Sequence, residues 1–172
     1  MSDKKEKKYV DFVISVNRVT KVTKGGKRFS FSAFVVSGDE EGNVGIGSGK
    51  SSGDVSAAIA KATTQARKNL IPIARRGETI PYPVIGQHGA TRVIIRSAYK
   101  GSGLKAGKHV AAVAKAAGIR DLLSKVIGPS RCGRNVVKAT LNALAQCRTA
   151  SSLAYLRNKT VAELVKDSHE HA

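Results

Sequence analysis

The 172-residue chain carries 30 Lys and Arg against 12 Asp and Glu, a formal net charge of +18, with 41% hydrophobic residues and no Trp. That length holds one ordinary domain or two small ones, with cores built from Val, Ile, Leu and Ala. No apolar run approaches the roughly 20 residues that span a bilayer, and the start, MSDKKEKK, has no apolar stretch of the kind a secretory signal needs.

Residues 1–8 read as a charged, disordered tail. Alternation of Val10, Phe12, Ile14 and Val16 predicts a strand over Val10–Val22. Phe29, Phe31, Ala33 and Val35 predict a second strand, Phe29–Ser37, with one buried face. Between them lies a glycine- and cation-rich loop around Lys24-Gly25-Gly26-Lys27-Arg28. Gly38–Asn43 has turn composition, and Val44–Gly47 reads as a short third strand. A helix follows, with Val55, Ile59, Ala62, Ala66 and Leu70 on one face and Ser52 or Asp54 as its cap.

Residues 72–80 hold a proline and the Arg75–Arg76 pair, and two more prolines follow at once. This marks a boundary between an N-terminal unit, residues 9–72, and a C-terminal unit, residues 81–166, with 73–80 as linker and 167–172 as a tail. Each unit is expected to have its own apolar core. Beyond the boundary, Pro83–Gln87 and Thr91–Ser97 pair as strands turning at His88-Gly89-Ala90. Tyr99–Lys108 is a second Gly/Lys loop, and His109–Ala117 is an alanine-rich helix stopped by Gly118. Asp121–Ile127 suits either strand or helix. Asn135–Cys147 is a helix with Val137, Leu141 and Leu144 inward, and Ser151–Lys166 is a polar helix.

The sequence GIGSGKSSGD invites a phosphate-loop reading, but the spacing fails. Counting back from Gly49-Lys50-Ser51 places Val44 where the first glycine belongs. A helix beginning near Asp54 would also present a carboxylate to the phosphates. Cys132 and Cys147, fifteen apart, have no Cys or His partner at zinc-site spacing and fit a reduced cytosolic protein. Cys147 reads as a core thiol, and His169 and His171 as tail residues. Carboxylates are too scarce for an acid–base pair or a nucleophile set, so neither catalysis nor a cofactor is expected.

Charge is the dominant signal. Between Thr79 and Ala162 the only acid is Asp121, against fourteen Lys and Arg. Such segregation destabilises a compact chain by self-repulsion unless a polyanion neutralises it. Nucleic acid is the first candidate and an anionic membrane the second. Arg18, Lys21, Lys24, Lys27 and Arg28 fall within eleven residues free of acids. Gly25 and Gly26 let the backbone approach a phosphate. Lys61, Arg67 and Lys68 lie off the apolar helix stripe, and Lys105 and Lys108 mark the second Gly/Lys loop. Base-stacking aromatics are absent from these loops, which points to the backbone and groove shape of structured RNA rather than single strands.

The blocks VNRVTKVTKGGKRFSFSAFVVSGD, GNVGIGSGK, AIAKATTQARKNLI, GSGLKAG and NVVKATLNAL resemble the bacterial-type protein five family of the small ribosomal subunit, over roughly residues 10–166. The resemblance implies an α+β protein of two small domains. The N-terminal one is double-stranded-RNA-binding-like, three strands on a helix, and the C-terminal one is of βαβ type. It further implies a non-enzymatic, cytoplasmic constituent of the subunit, at its back between head and body. The implied partners are small-subunit rRNA, neighbouring proteins four and eight, and mRNA near the entry path, with a part in translational accuracy. Thr20–Arg28 would be the element near the head–neck RNA and the spectinomycin region. The chain departs from the family pattern at Lys108-His109-Val110 and at GPSRCGRN. Two readings compete with a ribosomal one: a free-standing RNA-binding regulator, and a nucleotide-dependent enzyme built on Gly45–Ser51.

Overall fold

The computed structural model describes residues 8–128 and 132–163. Residues 1–7, most of the expected N-terminal tail, lie outside it, as do Leu164–Lys166 of the expected last helix and the 167–172 tail with His169 and His171.

The N-terminal unit is an antiparallel sheet in the order β1-β2-β3-β4, made of β1 (Val10–Thr23), β2 (Gly26–Gly38), β3 (Asn43–Ser51) and β4 (Leu70–Pro72). A short fourth strand thus joins the three expected. Helix α1 (Val55–Lys68) covers one face, and its buried side chains are Ala58, Ala62 and Ala66. The expected stripe is displaced: Val55 is exposed and Leu70 has left the helix for β4.

The reason is β3. A Cβ at Gly45, Gly47 or Gly49 would run into the carbonyl oxygens of Ala66, Ala62 and Ala58 respectively. Two strand residues advance about 6.7 Å and four helix residues about 6.0 Å. Alternate glycines therefore match the alanines at every fourth helix position along three contacts. The helix lies almost on the strand backbone, so the run that mimics a phosphate loop is a packing stripe.

The C-terminal unit comprises β5 (Val84–His88), β6 (Thr91–Ser97), β7 (Leu104–Lys105), α2 (Lys108–Ala116), β8 (Leu122–Ile127), α3 (Gly133–Gln146) and α4 (Ala150–Leu156). Its sheet order is β5-β6-β8-β7, and β7 runs parallel to β8 across α2, a βαβ unit within an otherwise antiparallel sheet. Asp121–Ile127 resolves as strand. Gly118, at φ +73, ends α2 as expected.

The two units do not have independent cores. Phe34, Val36 and Val44 from the second face of the first sheet join Val93, Ile95, Val113, Val137 and Leu144 in one buried cluster. The smaller cluster under α1 holds Ala33, Val35, Ala58 and Ala62. Both faces of the first sheet are therefore covered, and β2 is fully buried from Ala33 to Gly38 rather than on one face. The presumed linker takes part: Ile73 and Ile80 are buried. Arg75 Nη1 donates to the Glu40 carbonyl at 3.0 Å and to the Gly118 carbonyl at 3.2 Å, one acceptor from each unit.

Candidate nucleic-acid interface

The β1–β2 hairpin outgrows its sheet. Pairing of β2 with β3 ends at Phe31–Ser51, whereas β1 and β2 stay paired from Arg18–Phe31 out to Thr23–Gly26. Five residues of each strand project about 17 Å beyond the body. Only Lys24 and Gly25 lie outside the two strands at the tip. The segment Thr20–Arg28, expected as loop, is thus mostly ladder, because alternating Thr and Val on β1 continue the strand that the cations disguise. Gly26, at φ +131, makes the turn without strain, and Thr23 Oγ1 donates to its carbonyl at 2.9 Å.

Register partners share a face, so the arm presents cations on both sides. Arg18 and Lys27 lie on the α1 side, and Lys21 and Arg28 on the other. Arg18 is fixed by stacking, its guanidinium carbon 3.9 Å from the Phe29 ring centroid. Lys21 and Arg28 are direct register partners. Like charges directly opposite on a ladder are destabilising. Lys24, Gly25, Gly26 and Lys27 are exposed, and a Cβ at Gly25 or Gly26 would meet nothing within 4 Å. Val22 is 73% exposed beside them.

The remaining expected cations divide. Lys61 and Lys68 are exposed on the outer side of α1. Arg67 is committed internally: Nη2 lies 2.7 Å from Asp11 Oδ2, and its guanidinium carbon is 4.9 Å from the Tyr9 ring centroid. Its task is to tie α1 to the start of β1. Lys105 and Lys108 are exposed in the other unit, on edge strand β7 and at the first turn of α2. The second Gly/Lys loop resembles the hairpin tip in composition only. Its Gly101 and Gly103 amides donate to the Asp121 carboxylate at 3.1 and 2.7 Å, so that anion-binding capacity is filled from within. Asp121 is buried, which explains the lone acid in a basic segment.

Arg134 and Lys138 were not singled out by sequence reasoning, since they sit on a helix already assigned to the core. Arg134 Nη2 donates to Ser32 Oγ at 3.0 Å, and its guanidinium carbon stands 5.5 Å from the Phe34 centroid. Spacing four residues apart at the polar margin of α3 was the available signal.

Among the described residues no three His, Cys, Asp or Glu side chains gather as metal ligands, and no helix is long and apolar enough to cross a membrane. Burial pushes the Cys147 thiol up, as suits a core residue, and Cys132 is exposed just before α3.

Comparison with known proteins agrees with the geometry. Residues 9–74 match the family model described as ribosomal protein S5, N-terminal domain, and residues 86–157 match ribosomal protein S5, C-terminal domain. The chain is 45% identical over 157 residues to small ribosomal subunit protein uS5 of Salinibacter ruber, covering 91% of this chain and 89% of that one. It is 48% identical over 159 residues to small ribosomal subunit protein uS5 of Borreliella afzelii, covering 92% and 95%. A doubly cationic hairpin arm, a two-unit α+β body and these matches lead to one assignment: the chain belongs to the ribosomal protein S5 family, structural components of the small ribosomal subunit rather than enzymes.

Proposed function

We propose that the protein binds small-subunit rRNA through the projecting hairpin, at the back of the cytoplasmic ribosome's small subunit, and holds head against body. The observation that carries this is the juxtaposition of Lys21 and Arg28 on an arm bearing five cations and no acid. An exposed ladder with that arrangement gains nothing for the free protein. Phosphates laid along both faces would offset the repulsion, and the glycine tip allows backbone amides to approach them. The joined core makes the body one rigid support, so force on the arm is transmitted to the C-terminal unit. In this reading the C-terminal surface meets neighbouring proteins four and eight, and the assembled position gives the protein its part in decoding accuracy and in the mRNA entry path.

The test replaces Lys24 and Lys27 with Glu and deletes Gly25 in separate strains. Altered spectinomycin response or slowed small-subunit assembly, with an unchanged melt of the isolated protein, supports the reading. Normal subunit profiles and drug response would overturn it. Sedimentation at high salt separates the ribosomal reading from a free-standing regulator, which would wash off the subunit.

A further inference from the structure

Beyond the hairpin, we propose a second phosphate-binding track: a groove along the open edge of β3, between α1 and α3, that takes the sugar-phosphate backbone of structured RNA. It rests on the reading above only in its choice of RNA as ligand.

Strand β4 pairs with β3 only at Asn43, Val44 and Gly45, so the edge from Ile46 to Ser51 has no partner strand among the described residues. Two depressions that share Gln65 lie beside this edge and on the neighbouring helix. One, of about 200 Å³, is lined by Ser48, Gln65, Arg134 and Lys138, with Phe34 and Ile46 as its floor. The other, about 370 Å³ and open, runs along the outer side of α1 and is lined by Lys61, Thr64, Gln65 and Lys68. Gln65 lines both and accepts the Ser48 amide at 2.9 Å, so the proposed track crosses from one to the other over this polar side chain.

Two cations line each depression, Lys61 and Lys68 one and Arg134 and Lys138 the other, and no carboxylate lines either. Arg134 is held in place from two sides, by Ser32 Oγ and by the Phe34 ring. Lys50 is the register partner of Ser32 and so lies on the same face as that anchored guanidinium. A guanidinium fixed in orientation loses little entropy on forming bidentate hydrogen bonds to a phosphate. Its neighbour Lys138, one turn on, adds a mobile point charge. The edge from Ile46 to Ser51 carries hydroxyls and no aromatic, and the Phe34 ring below it is buried, which suits backbone contact and not base stacking. An acidic protein segment is the rival occupant of such a track.

The experiment measures fluorescence anisotropy of a labelled small-subunit rRNA fragment with the full chain, across a range of salt. One variant carries Arg134→Gln with Lys138→Gln, and a second, with exposed positions only, carries Lys61→Glu with Lys68→Glu. Each pair should lower the slope of log affinity against log salt by about two, with at least about tenfold weaker binding near 100 mM salt. Hairpin variant Lys24→Glu/Lys27→Glu serves as the internal reference, and circular dichroism melts confirm folding. If the hairpin pair weakens binding while both groove pairs leave slope and affinity unchanged, the groove is not an RNA site, though the hairpin reading stands. If the groove pairs weaken binding and the hairpin pair does not, the track holds and the hairpin reading falls. Groove variants that bind RNA normally but lose a protein neighbour from assembled subunits would overturn the proposal in favour of the acidic segment.

Discussion

Gly47 of β3 faces the Ala62 carbonyl of α1 so closely that a single methyl group on the strand would displace the helix. The obstacle is backbone, not a pliable side chain, and Gly45 and Gly49 repeat the contact on either side. Gly47→Ala should destabilise the protein by roughly 1–3 kcal/mol or more, as overpacking does. Gly53→Ala, at an exposed position where a Cβ meets nothing within 4 Å, should stay within about 0.5 kcal/mol. Urea melts of the two variants check both. Equal midpoints would refute the packing account of the glycine stripe.

The hairpin tip should separate stability from binding. Lys24→Glu with Lys27→Glu alters exposed residues that pack on nothing, so the melt should shift by about 0.5 kcal/mol or less. RNA affinity should drop, with a salt slope shallower by about two. Anisotropy at several salt concentrations distinguishes this from a general loss of fold.

The shared core bears on how the molecule unfolds. A Pro-rich joint between independent cores would give early proteolysis at Ile71–Pro81 and two melting steps. Ile73 and Ile80 are instead buried, and Arg75 bridges the carbonyls of Glu40 and Gly118. Calorimetry should show one cooperative transition, and limited proteolysis should spare residues 73–80. Arg75→Ala should cost about 1–3 kcal/mol, since both carbonyls lose a charged donor.

Acid sensitivity should have a contribution from His109. Burial, with Lys108 adding to it, holds the imidazole below its ordinary value of 6.5. The unfolded chain therefore takes up a proton near 6.5 that the folded chain refuses. Stability from this group is fully present above that pH and declines as pH falls towards the folded value. A side chain at Gly133 would run into this ring, which shows how closely α3 approaches it. His109→Gln should flatten the fall in melting temperature between about pH 7 and 5. An unchanged pH profile would remove His109 from the account.

Strand and helix identity was legible in the chain because local periodicity encodes it. Phe12 and Ile14, the β5–β6 hairpin and Val137–Leu144 carry their burial pattern within a few residues, whereas a register shift between Val13 and Ser15 leaves Val16 exposed. The polyanion signal was equally local, since charge does not depend on fold. Tertiary structure decided what those residues meet. Gly45 and Gly47 read as strand and Gly49 as the connection after it, but no local pattern shows that a helix lies on all three, and the α1 stripe shifted to Ala58, Ala62 and Ala66 because only methyl groups fit that close approach. Arg67 and Asp121 were drawn into internal contacts by partners 56 and about 20 residues away, distances that no local pattern spans. Arg134 and Lys138 became neighbours of β3 only when Phe34, Val36 and Val44 turned their second face to the C-terminal unit. Burial on both sides of a sheet is a property of the assembled layers, and each strand by itself records only that it is apolar.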